Sequence, residues 1–199
     1  MRRDREELRT KDAALFVHPG MLALKRATGR EHPFIRALEW NGRCTTVLDA
    51  TLGMAGDALH AAAELEVQIR GIEGSAAVHS LLEEGLPRMA AVADVPGLAA
   101  SRIRAEHGTA LEVLGSLPNA STDVVLIDPM FDTPRPSAPG FELIRRVAYE
   151  ADDPAALLAQ ACRVASSHVV FKYPKRATYP PCDACVDGKA VRYLIYRAR

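Results

Sequence analysis

The sequence predicts an α/β protein: a Rossmann-like, mostly parallel sheet with helices on both faces, preceded by a small N-terminal helical cap. Three features point there. Apolar runs such as Val47-Leu48, Val124-Val125-Leu126-Ile127 and Val169-Val170-Phe171 alternate with segments long enough for a helix. Strands spaced in this way are joined by right-handed crossovers into a doubly wound sheet. The first run also ends at Asp49 and enters a glycine-containing turn, Thr51-Leu52-Gly53-Met54-Ala55-Gly56-Asp57, where such sheets place a nucleotide-like ligand. Finally, 199 residues, 48% of them hydrophobic, suffice for one sizeable core.

In chain order, the first 12 residues carry nine charges and little apolar periodicity, which reads as a frayed tail or a solvated helical turn. His18-Pro19-Gly20-Met21 is a turn. Met21, Leu22, Leu24, Phe34, Ile35 and Leu38 then recur at helical spacings, interrupted by Thr28-Gly29-Arg30 and Pro33, as in a small lid or cap. Residues 1–40 are assigned to this tail and cap, and 41–199 to the main domain. There the expected order is strand 46–50, helix 56–64, strand 67–72, helix 75–89, strand 101–105, helix 109–115 and strand 123–128. After the proline-rich segment 133–140 come helix 154–164, strand 168–172 and a last strand 191–196.

Twenty-five basic and 25 acidic residues give a formal net charge of zero, so no whole-protein field draws in nucleic acid, and any such site must be local. No stretch approaches the roughly 18 apolar residues of a membrane span, and the charged start is unlike a signal peptide, so the expectation is a cytoplasmic protein without a membrane partner. Of the four cysteines, only Cys182 and Cys185 have ligand-like spacing, and no second pair of ligands matches them. Two free thiols in a loop, with no metal, is the reading. Oligomeric state stays open between monomer and homodimer.

The candidate site gathers at the strand ends. Asp49, Thr51, Gly53 and Asp57 frame the first turn, where a glycine admits close approach of a ligand to the backbone. Glu73, followed by Gly74, ends the second strand 24 residues after Asp49, the offset at which an acid accepts hydrogen bonds from ribose hydroxyls, with a cap on the next helix as the lesser alternative. Backbone at His107, Gly108 and Thr109 lies at the level of an adenine ring, with an N-cap role for Thr109 as the alternative. The fourth strand ends in Asp128-Pro129-Met130-Phe131. Asp128 can accept from an exocyclic amine, Pro129 fixes the turn and Phe131 can stack on a base, a set suited to methyl transfer onto a planar amine. Lys172, Lys175 and Arg176, with Arg135, Lys25, Arg26 and Arg30, form either a phosphate-binding patch or a solvated surface.

Taken together, Val47 to Gly53, Glu73, Asp128 to Phe131 and Val169 to Lys172 resemble the class I S-adenosylmethionine-dependent methyltransferases. Within that class the chain is similar to the small-subunit ribosomal RNA guanine-N2 methyltransferases and their bacterial relatives. The resemblance spans about residues 15–196. It implies a seven-stranded sheet with a reversed final hairpin, S-adenosylmethionine held by Asp49, Thr51, Gly53, Asp57, Glu73, Gly74, Gly108 and Thr109, and catalysis by Asp128, Pro129 and Phe131. Met130, Lys172 and Arg135 would then meet the acceptor, an exocyclic amine, with guanine N2 of ribosomal RNA implied as substrate and RNA as partner. Ala55 stands where glycine is common, and Met130 where a second proline is. The neutral charge keeps a small-molecule or protein amine open, and a non-catalytic cofactor-binding module is the further alternative. The glycine spacing does not suit a nicotinamide dehydrogenase.

Overall fold

A computed structural model describes residues 5–11, 14–26, 28–130, 139–147 and 152–199. Seven strands form one sheet: β3 (Thr46–Asp49), β4 (Gln68–Glu73), β5 (Ile103–His107), β6 (Thr122–Ile127), β7 (Ala165–Pro174), β8 (Ala184–Asp187) and β9 (Val191–Arg197). Their order is β5-β4-β3-β6-β7-β9-β8, and β9 alone runs against the rest. The chain winds outward from β3 to β5, then returns to β6 beside β3. That reversal opens a crevice beyond the carboxyl ends of β3 and β6.

Helices cover both faces, as the alternation predicts. On one side α2 (Pro33–Leu38), α3 (Gly56–Leu65), α4 (Ala76–Ala90) and α5 (Val95–Ala100) pack a core that includes Leu59, Leu82, Val47, Leu126 and Ile195. On the other, α6 (Ala110–Ser116) and α8 (Pro154–Val164) pack against Leu48, Ile72, Val125, Ile127 and Leu194. The helix starts are capped as their sequences suggest. Ser75 accepts from the Val78 N–H, Thr109 from Glu112 and Asp153 from Ala156.

Several expectations are corrected. Residues 5–11 are not a frayed tail or helical turn, because β1 (Leu8–Arg9) pairs antiparallel with β2 (Ala14–Leu15). Leu15 is buried with Leu81 and Leu143, and the Arg5 guanidinium lies 3.4 Å from the Phe16 ring centre, so apolar burial and a cation–π contact order this segment. The cap helices α1 (Gly20–Arg26) and α2 exist, but Phe34, Ile35, Ala37 and Leu38 have no exposed surface, so α2 is core rather than lid. The third strand starts at Ile103, two residues late, because Asp94 accepts from the Gly97 N–H and starts α5, with Pro96 within its first turn. The strand 168–172 is longer at both ends. The thiol-bearing 182–185 segment is no simple loop: Cys185 lies in β8, opposite Leu194. A helix the sequence reading omitted, α7 (Pro139–Val147), follows the proline-rich segment. Phe131, Arg135 and most of that segment, residues 131–138, lie outside the described residues.

Candidate active site

Each site residue owes its place to a strand end. Asp49 closes β3, Glu73 closes β4, Asp128 follows β6 and Lys172 lies near the end of β7, so parallel register gathers all four at one rim. Between them opens a cleft lined among others by Thr51, Gly53, Glu73, Gly74, Asp128 and Met130.

One wall is made of backbone and a single acid. Gly53 adopts φ +53°, a left-handed conformation that glycine enters without a Cβ penalty, and its N–H donates to Glu73 Oε2 at 2.9 Å. Glu73 Oε1 accepts from the Ser75 N–H at 2.7 Å. Burial pushes the Glu73 pKa up, while the two backbone donors oppose that rise. Ala55, at the start of α3, also has a left-handed φ of +58°, which costs about 1–2 kcal/mol for a residue with a Cβ. Gly71 on β4 lets Leu52 pack closely: a Cβ there would lie 2.5 Å from the Leu52 side chain, which would have to shift.

The other wall is charged. Lys172 Nζ donates to Asp128 Oδ2 at 2.6 Å and to Asp57 Oδ2 at 2.8 Å, and Lys25 Nζ donates to Asp57 Oδ1. Two acids and two bases therefore form a neutral tetrad that joins α1, α3, β6 and β7. Burial works to raise the Asp57 pKa, but Lys172 and Lys25 overcome it and hold the carboxyl well below its usual range. Asp128 has one lysine and feels the like charge of Asp57, so burial leaves its pKa raised. Burial alone would lower the Lys172 pKa, yet the two carboxylates lift it well above that of an ordinary lysine. The Asp128 N–H donates to Thr51 Oγ1 at 2.7 Å, which ties the β6 turn to the β3 turn.

The sequence-derived candidates divide accordingly. Thr51, Gly53, Glu73, Gly74, Asp128, Pro129 and Met130 line the cleft. Asp49 and Asp57 stand behind its wall: Asp49 accepts from the Thr51 N–H at 3.0 Å, and burial pushes its pKa up to about 7. Lys172 faces the two carboxylates. Gly108 and Thr109 do not line the cleft either. The Gly108 N–H donates to the Glu73 carbonyl at 3.1 Å, and Thr109 caps α6. In the expected cap patch Lys25 bonds Asp57, Arg26 bonds Glu64 at 2.6 Å and Arg30 approaches Glu39 at 3.5 Å, so these cations are spoken for. Sequence reasoning missed Asp152, which lines the cleft and accepts from the Leu111 N–H at 3.2 Å. It also missed the apolar Val78, Leu157 and Phe171. Only the helix-start pattern Asp152-Asp153-Pro154 gave a hint of that acid. Among the described residues no group of three or more His, Cys, Asp or Glu side chains is placed to hold a metal.

A cleft at the switch point of a β5-β4-β3-β6-β7-β9-β8 sheet, with a glycine turn on one strand and a buried acid ending the next, defines the class of Rossmann-like proteins that bind a nucleoside cofactor. The chain matches, over residues 7–198, the family model described as "Putative SAM-dependent methyltransferase", and it belongs to that family, whose cofactor is S-adenosylmethionine. A protein of Chromohalobacter salexigens named ribosomal RNA small subunit methyltransferase J is 37% identical over 166 residues, 78% of this chain and 63% of that one. A protein of the same name from Rhodopseudomonas palustris is 32% identical over 200 residues and 96% of each chain. The chain thus spans less than two thirds of the Chromohalobacter relative. The crystal structure of a SAM-dependent methyltransferase from Neisseria gonorrhoeae superposes with a TM-score of 0.75 at 26% identity, over 96% of this chain and 78% of that one.

Proposed function

We propose that the chain transfers a methyl group from S-adenosylmethionine to the exocyclic amine of a nucleobase, with guanine N2 in ribosomal RNA as the acceptor. The observation that carries this reading is the Asp128 carboxylate. It is pinned through Oδ2 by Lys172 and, among the described residues, no group bonds Oδ1, which an incoming amine would meet across the cleft from Glu73. Two relatives bear the name of a ribosomal RNA methyltransferase, which supports the acceptor. A cytoplasmic location fits such a substrate, and among the described residues no helix is long and apolar enough to cross a membrane.

The residues present fit the cofactor. Glu73 still has lone pairs for ribose hydroxyls beyond its two backbone bonds, the Gly53 turn leaves space beside it, and Ile72, Val78 and Leu157 offer an apolar surface for a flat ring. Bound there, the cofactor supplies an already electrophilic methyl group. The protein's work is then placement. Thr51 fixes the backbone of Asp128, Pro129 stiffens the turn, and Met130, 45% exposed, offers an apolar face at the mouth. Asp128 Oδ1 accepts an amine N–H and aims the nitrogen lone pair into the cleft. An amine nitrogen that took the methyl group, with the sulfonium S–C bond broken and the thioether leaving, would have to lose a proton, and Asp128 is the carboxylate beside it that would take it. Phe131 and Arg135 belong to the proposed acceptor side by sequence alone.

Incubation with labelled S-adenosylmethionine and unmodified small-subunit ribosomal RNA tests the reading, beside a calorimetric titration with S-adenosylhomocysteine. Label on a guanine is expected. Cofactor binding with no label in RNA would sink the acceptor assignment, and no cofactor binding would sink the whole. The formal net charge of zero favours the second reading, a small-molecule or protein amine as acceptor.

A further inference from the structure

The charge of this chain is balanced overall but not at the rim beside the site. From residue 172 to 192 five cations, Lys172, Lys175, Arg176, Lys189 and Arg192, face two acids, Asp183 and Asp187. Lys172 is consumed in the tetrad. Because β7 runs parallel to β6, its end at Pro174 lies on the same rim as Asp128, and the start of β9 at Val191 pairs with Pro174. The residues just after Pro174 and the turn 188–190 therefore stand about 10 Å, two strand spacings, to one side of Asp128, before the chain passes down the sheet to Asp183, which bonds the backbone of Ile195 and Arg197.

This rim is held in shape. Lys175 donates from Nζ to the Gly188 carbonyl at 2.9 Å and from its backbone to Ala190 at 3.2 Å, and the Gly188 N–H closes the turn on Val191 at 2.9 Å. Asp187 lies 3.6 Å from Lys175 and 3.3 Å from Arg192. Arg176 and Lys189 are exposed and make no ion pair among the described residues. The Arg192 guanidinium sits 4.4 Å from the ring centre of Tyr179, which is 38% exposed, so one face of that ring is braced and the other is available. In the N-terminal cap, by contrast, Lys25, Arg26 and Arg30 are each paired with acids.

We propose that this β7–β9 rim is where RNA docks, with Arg176 and Lys189 on phosphates and Tyr179, braced by Arg192, stacking on a base next to the one presented to Asp128. The inference rests on the reading of an RNA amine as acceptor and gives it an entry side. Unpaired cations on the same rim as an exposed aromatic ring suit a flexible single strand, since phosphates supply the attraction and any base supplies a face to stack. A small neutral acceptor would gain nothing from them.

The test uses the full chain and unmodified ribosomal RNA. Initial rates are measured against RNA concentration at several salt concentrations for wild type, for Arg176→Glu with Lys189→Glu, and for Tyr179→Ala. The double variant is expected to raise KM for RNA at least about tenfold and to flatten the slope of log affinity against log salt by about one for each phosphate contact removed. Its kcat at saturating RNA and its affinity for S-adenosylhomocysteine should not change. Tyr179→Ala should raise KM by about tenfold and leave the salt slope alone. Arg176→Gln with Lys189→Gln guards against a folding defect and should move KM the same way by less. If wild type methylates RNA and all variants share its KM and slope, the rim is not the docking surface while the acceptor reading stands. If wild type neither binds nor methylates RNA, both fall, and wild type alone reveals it.

Discussion

The two walls of the cleft solve opposite problems. The Glu73 wall is built from backbone around one acid: Gly53, from the turn after the neighbouring strand, and Ser75, two residues on, each donate a backbone N–H to its carboxylate, and among the described residues no lysine or arginine pairs with it. The Asp128 wall is built from side chains far apart in the chain. Lys172 reaches an acid 44 residues away and another 115 away, and Lys25 joins from 32 residues away. Backbone donors around a lone acid make a wall whose shape survives changes of solution, suited to a constant ligand. Opposed charges make a wall whose shape depends on every member's protonation, suited to holding one carboxylate at one angle.

The largest effect should come from cutting the charged wall at its tip. Asp128→Ala is expected to slow methyl transfer at least about 100-fold, the cost of a misplaced acceptor, with affinity for S-adenosylhomocysteine unchanged in calorimetry. Equal rates would remove Asp128 from catalysis. Lys172→Met should lower the unfolding free energy by about 3 kcal/mol, read from the denaturant midpoint, because Asp57 and Asp128 lose their shared cation. An unchanged midpoint would show the tetrad to be ornament. On the other wall Glu73→Ala should weaken S-adenosylhomocysteine binding by about 1–3 kcal/mol, whereas Asp128→Ala does not. If both variants weaken it alike, the division between the walls fails.

The smallest effect concerns Asp49, behind both walls. Its folded pKa, pushed up to about 7, exceeds the value near 3.8 for an exposed group, so between those pH values the folded state holds the extra proton and stability falls as pH rises. Asp49→Asn should therefore raise the unfolding free energy at pH 8, by an amount on the order of 1–2 kcal/mol, and leave it nearly unchanged at pH 4. Asp57 contributes in the opposite sense. Its pKa is lowered, so its stabilisation is present above about pH 4 and is lost as acid protonates the tetrad.

What the sequence made legible follows the same division. The strand ends at Asp49, Glu73 and Asp128, and the turn at Gly53, could be read because strand, turn and helix lie within a few residues of one another. The order of strands in the sheet entered through resemblance, since hydrophobic runs do not say which strand neighbours which. The use of Lys172 as a bridge between acids was not legible: nothing within a window around it shows that Asp57 and Asp128 will meet there. The strand β8 escaped because an edge strand of four residues, half exposed, lacks a strong apolar signal. Likewise Val95-Pro96-Gly97 looks like a turn, until the Asp94 cap and the burial of Ala99 and Ala100 make it a helix.

One property of the bridge reaches into chemistry unrelated to methyl transfer. An ammonium locked between two carboxylates is a poor nucleophile, so amine-acylating reagents should leave Lys172 untouched in the closed fold while labelling exposed Lys189. The rate at which Lys172 finally becomes labelled is then a clock for how often this part of the molecule opens.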